Sequence, residues 1–130
     1  MLKSELVEVV RAMNTDQIMT DLRQFTGTET WWKYPLLKGY TYTDGVKYVA
    51  ESCKAYWLID AILSHQTNVK IAKEEFQVWI LTKKDTFWLL RCEDGNNHKV
   101  IEQKIGYSDF PLDTMTFWLT NNVLLLPSEY

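Results

Sequence analysis

The hydrophobic period changes once along this chain, at His65, and that change limits the fold more than any other feature. Before it, apolar residues recur at helical spacing; after it they alternate, and they go on alternating nearly to the end. A chain that is helical first and strand-rich afterwards belongs to the α+β class, because a two-faced sheet needs a helical layer over its apolar side. The expected architecture is a set of N-terminal helices packed on one face of a C-terminal antiparallel β-meander of about five strands. With 130 residues and no repeat, linker or low-complexity tract, a single domain over residues 1–130 follows.

The helical half is centred on the stretch from Asp44 to His65. Val46, Ala50, Cys53, Trp57 and Ala61 keep one face, and Val49, Tyr56, Ile59 and Leu63 widen it, which predicts one buried helix or a bent pair. Thr43 or Asp44 supplies the start, with Gly45 fitting a tight entry. Upstream, Leu2, Leu6, Val9, Val10 and Met13 predict an amphipathic helical extension over residues 1–14. Asn14 and Thr15 interrupt it, and Thr15 caps a second helix carrying Ile18, Met19, Leu22 and Phe25, closed by Gly27 as a left-handed cap. Thr28 to Tyr34 and Tyr40 to Thr43 read as short strands.

In the second half, Phe76, Val78 and Ile80 alternate with Gln77, Trp79 and Leu81, and Phe87 to Glu93 returns after a turn; apolar residues on both faces make this pair central. Lys99 to Tyr107 follows the Asp94-Gly95-Asn96-Asn97 turn and carries Glu102 and Lys104, which suits an exposed face or an edge. Met115 to Thr120 and Val123 to Leu126 flank Asn121-Asn122, a two-residue turn that needs positive φ.

The charge of −3 divides almost evenly: residues 1–66 hold seven Lys/Arg against eight acids, and residues 67–130 hold seven against nine. Without a basic half, a strong grip on bare duplex phosphates is disfavoured. Two cysteines and a charged N-terminus predict a reduced, cytoplasmic protein with no membrane span.

Chemistry-bearing residues are few. Asp60, among apolar neighbours, is expected to bond to Arg91, a lysine or a backbone amide rather than act as an acid or base. Cys92 and His98 flank the 94–97 turn but lack a third, orienting group, and read as a core thiol and a solvated histidine. Cys53, His65, Cys92 and His98 lack the short spacing of structural zinc sites, and Ser108, Asp109 and Asp113 read as a turn before a cation site. No glycine-rich phosphate loop, GxSxG or HExxH is present. No catalytic residue, metal or cofactor is therefore expected.

Eight of the eighteen aromatics fall between Trp31 and Trp57. Adjacent Trp31 and Trp32 point opposite ways in a strand, so one of them is expected at the surface unless both faces are covered. Exposed Trp and Tyr concentrate at protein interfaces, which makes Trp31, Trp32, Tyr34, Tyr40 and Tyr42 interface candidates. The stretch from Ile105 to Tyr130 has no Lys or Arg and adds Asp109, Asp113 and Glu129 as an acidic surface. The alternative, binding of RNA or single-stranded nucleic acid, rests on Lys70, Lys73, Lys83 and Lys84. A small-molecule site would need an enclosed apolar pocket around Trp57.

Several segments resemble an uncharacterised family of small bacterial proteins, a domain of unknown function found in chromosomes and on mobile elements. They are Phe25-Thr-Gly-Thr28, Tyr42-Thr-Asp-Gly-Val-Lys-Tyr48, Ala55-Tyr-Trp-Leu-Ile-Asp-Ala-Ile62, Phe76-Gln-Val-Trp79, Tyr107-Ser-Asp-Phe-Pro-Leu112 and Leu125-Leu-Pro-Ser-Glu-Tyr130. The resemblance implies no activity or cofactor. The lack of catalytic chemistry and the surplus of aromatics from Trp31 to Tyr42 predict a non-enzymatic protein-binding module; the context of the resemblance implies its sharpest form, a mobile-element, anti-CRISPR-like inhibitor whose partner is a bacterial immune effector such as a CRISPR nuclease or its ribonucleoprotein.

Overall fold

The computed structural model describes residues 14–130; the predicted extension over residues 1–14 lies almost wholly outside them. Four α-helices and a seven-stranded sheet make up the described chain: α1 (14–22), β1 (Trp32–Lys33), β2 (Thr41–Tyr42), α2 (Asp44–Ser52), α3 (Tyr56–Ser64), α4 (Val69–Ala72), β3 (Phe76–Lys83), β4 (Trp88–Asp94), β5 (Lys99–Ile105), β6 (Thr114–Thr120) and β7 (Val123–Leu125). A 3-10 turn, Pro127–Glu129, follows β7. No helix among the described residues is long and apolar enough to cross a membrane.

The chain is α+β, but the sheet is mixed and larger than the expected five-stranded antiparallel meander. Its order is β1-β2-β7-β6-β3-β4-β5, antiparallel throughout except for the parallel pair β2–β7. The five strands expected from Phe76 onward are present as β3 to β7. A simple meander fails because β6 pairs with β3 and not with β5. The charged edge strand β5 has no partner strand on its outer side among the described residues, while the segment after it crosses the end of the sheet and buries Phe110 edge-on to Trp88, ring centres 6.0 Å apart. The two short strands expected upstream shrink to two residues each; β2 pairs with β7, and β1 pairs with β2.

Asp44 to His65 is a bent pair. Lys54 takes φ 52°, Ala55 N–H donates to Ala50 O at 2.8 Å, and Lys54 N–H to Glu51 O at 3.4 Å. This is a Schellman termination with lysine where glycine is usual, so no glycine signals the break. Val46, Val49, Leu58, Ile62 and Leu63 from these helices share one buried cluster with Trp79, Leu81, Leu90, Phe117, Leu119 and Leu124. The alternate row of the sheet, Phe76, Val78, Ile80 and Trp118, is half-buried.

Near the N-terminus two expectations are corrected. Asn14 and Thr15 both lie within the helix, so Thr15 is not the residue that precedes its first turn, and its hydroxyl donates to Pro111 O at 3.3 Å. The helix ends at residue 22 in turn bonds from Gln24 and Phe25, and the glycine at positive φ is Gly39, not Gly27. Phe25, past the helix, packs on Tyr48 (5.3 Å), whose hydroxyl donates to Asp21 at 2.6 Å, and this ties α1 to α2.

Candidate functional site

The aromatic segment forms a hairpin. Trp32 pairs with Tyr42 and Lys33 with Thr41, Tyr34 N–H donates to Tyr40 O at 3.0 Å, and Gly39 turns the chain at φ 91°. β2 then lies parallel to β7, Tyr42 beside Leu124.

Most of the hairpin's rings are tied to the body. The Trp32 indole donates to Asp44 Oδ1 at 2.9 Å, and Lys47 Nζ lies 3.4 Å from the centre of that ring. Asp44 also accepts from Glu29 N–H, and these bonds, the indole's first, hold its carboxyl below the usual range. Tyr34 is buried, and its hydroxyl donates to Asp60 Oδ1 at 2.8 Å. Burial, then this bond and the Asp60 charge, push the phenol up to about 12. Asp60 therefore pairs with a tyrosine and not with Arg91, which lies 2.8 Å from Glu93 and 3.3 Å from Glu102. Tyr40 and Tyr42 are half-buried.

Two side chains of the hairpin have no such place. Trp31 is 56% exposed, and Leu36, in the turn, is 75% exposed. Sequence reasoning did not single out Leu36. The available signal was a Leu-Leu pair between Pro35 and Gly39, of which Leu37 turns inward and Leu36 outward.

The base of the hairpin is held by a residue from the far end of the chain. Glu129 accepts from the Thr43 hydroxyl at 2.6 Å and Leu126 N–H at 2.9 Å through Oε1, and from Gly45 N–H at 3.1 Å through Oε2. Thr43 in turn accepts from Val46 N–H at 3.4 Å and caps α2. A carboxylate at a helix N-terminus meets both orphan amides and the positive end of the dipole. Gly45 is required by this approach: a Cβ there would lie 2.5 Å from Glu129 Oε1 and 2.7 Å from Leu126. Glu129 thus leaves the acidic surface and becomes a structural cap.

The remaining acidic and basic candidates do not form separate patches. Lys83, Lys84, Asp85, Asp109, Asp113 and Asp16 line one open groove of about 670 Å³, so the charges offset one another. Lys70 and Lys73 precede the start of β3 and Lys83 ends it, so an eight-residue strand roughly 23 Å long separates the two pairs of lysines.

Cys92 is buried and its thiol is pushed up to about 12, chiefly by desolvation, while His98 is exposed and bound to Asp94. Cys53 is buried too, its thiol pushed up to about 11. Among the described residues no three potential ligands gather around a metal position. Trp57 packs half-buried against the core.

A match to a described family of unknown function, DUF6876, covers residues 16–130. The chain belongs to DUF6876. The match begins beyond the N-terminal segment, and comparison with curated proteins and with solved structures gave no match. In this DUF6876 chain the segments Tyr42–Tyr48 and Leu125–Tyr130 meet at the Glu129 cap, and Phe25–Thr28 joins them through Thr28, whose hydroxyl accepts from Asp44 N–H at 2.9 Å.

Proposed function

We propose that this chain is a non-enzymatic binding module that engages a protein partner through the hairpin of residues 31–42. The observation carrying this reading is the contrast within the hairpin: Trp32 and Tyr34 are bonded to the body, while Leu36 and Trp31 stand in solvent. A preorganised loop loses little entropy on binding, and exposed apolar and aromatic anchors are what interfaces bury. The narrower form, an inhibitor of a bacterial immune effector such as a CRISPR nuclease, draws its support from the context of the family resemblance. The hairpin serves that form better than the acidic stretch does, since Asp109 and Asp113 share a groove with lysines.

A second reading, stacking on single-stranded RNA, is favoured by the exposed Lys33 and Lys38 on the same hairpin as Trp31. The test is binding of purified protein to candidate effectors and, separately, to single-stranded RNA. Leu36→Asp and Trp31→Ala are each expected to weaken the protein partner about tenfold or more with an unchanged melting temperature. Partner binding that ignores both substitutions removes the hairpin from the interface. Tight RNA binding that survives roughly 0.2 M salt and is lost on mutating the lysines replaces the protein reading with the nucleic-acid one.

A further inference from the structure

We infer that the pocket at the foot of the hairpin receives an arginine side chain of the partner. This deepens the protein-binding reading and rests on it for the source of the arginine. The pocket, about 450 Å³, lies between the chain leaving α4 and the β6–β7 turn, and Tyr40 of the hairpin forms part of its wall. Glu74, Glu75, Gln66, Asn121 and Asn122 line it as well, and no Lys or Arg does.

Its floor is fixed by buried amides. Gln66 and Gln77 exchange bonds at 2.9 Å in both directions. Gln77 Nε2 also donates to Ile71 O at 3.0 Å and Glu74 O at 3.2 Å, and the Trp79 indole donates to Gln77 Oε1 at 2.9 Å. Gln77 has no polar valence left. Gln66, only 7% exposed, differs: its Oε1 accepts from Gln77 alone, and a carboxamide oxygen has two lone pairs. One acceptor site therefore remains on a buried side chain that lines the pocket.

The walls are acceptors too. Glu74 is half-buried and Glu75 exposed, and neither carboxylate has an ion pair or hydrogen bond among the described residues. Asn121 and Asn122 are held by their turn at φ 52° and 61°, with Asn122 O bound to Thr41 N–H at 3.0 Å. Two carboxylates unpaired among the described residues, an amide oxygen with its second lone pair unused and a tyrosine ring suit a planar cation with several fixed donors better than a point charge, which selects guanidinium over ammonium.

The probe is N-acetyl-arginine amide, followed through the side-chain amide signals of Gln66, Asn121 and Asn122 by heteronuclear NMR, with N-acetyl-glutamine amide and spermidine as comparisons. Saturable shifts with the arginine probe are expected, weakened at least about tenfold in the Glu74→Gln/Glu75→Gln double variant and untouched by Leu36→Asp. The Glu74 and Glu75 carboxylates make no bond among the described residues, so an unchanged melting temperature will certify the double variant. No saturable shift, equal shifts in the double variant, or tighter binding of spermidine than of the arginine probe overturns the proposal, the last by making this a polyamine site. Partner binding separates the two readings. If Leu36→Asp weakens the partner and the double variant does not, the arginine pocket fails and the hairpin stands. If only the double variant weakens it, the pocket stands and the hairpin fails.

Discussion

Glu129 joins three donors from two distant stretches of chain, and single substitutions there have calculable results. Glu129→Ala removes charge-assisted bonds to Thr43, Gly45 and Leu126, so a loss of about 1.5–3 kcal/mol in denaturant unfolding is expected. Gly45→Ala forces its Cβ against the same carboxylate and against Leu126 and is expected to cost about 1–3 kcal/mol. The two are coupled: in the Glu129→Ala background the Gly45→Ala cost falls, and strict additivity would show that the cap and the glycine act separately. Tyr34 gives a pH signature. Its folded pKa, raised from 10.0 to about 12, lies above the unfolded one, so its contribution is whole below pH 10 and is lost as pH rises toward 12. Tyr34→Phe should flatten that alkaline decline and cost about 1 kcal/mol at neutral pH; a decline of unchanged steepness would assign it to other groups.

Among the elements, the α2–α3 break is the one under local strain. Lys54 holds a left-handed conformation that costs a side-chain-bearing residue roughly 1 kcal/mol, and it is exposed. Lys54→Gly is therefore expected to raise stability by about 0.5–1 kcal/mol, read as a shift of the unfolding midpoint at constant slope; a loss would mean that the unfolded-state entropy of glycine outweighs the relief. The Asn121-Asn122 turn follows the opposite logic. Both residues adopt positive φ, which asparagine tolerates, and so the turn was legible where the lysine was not.

Across the whole molecule, stability is graded from the centre of the sheet outward. β3 is paired on both sides over nearly its full length, whereas β1 and β2 contribute two residues each and β5 pairs on one side only among the described residues. Amide exchange is expected to be slowest at Trp79 to Leu81 and fastest in the hairpin and the outer side of β5; a hairpin as protected as β3 would contradict a two-residue ladder that is anchored mainly through the Trp32 and Tyr34 side chains. The sequence by itself determined the α+β class, the four longer strands β3 to β6 and the Asn-Asn turn, and it narrowed the start of α2 to Thr43 or Asp44, because each follows from periodicity or from the conformational freedom of one residue. Tertiary structure alone decided the rest. The parallel β2–β7 pair involves two-residue and three-residue strands with no period to read, and the order that places β6 beside β3 depends on which edges remained open. The same holds for the site: Tyr34 meets Asp60, Glu129 meets Gly45, and Asp109 and Asp113 share a groove with Lys83 and Lys84, pairings across 26 to 84 residues for the first two. Composition marked these as polar or aromatic residues, but whether each is a free surface group or a satisfied internal one is set by which distant atoms the fold brings within hydrogen-bond reach.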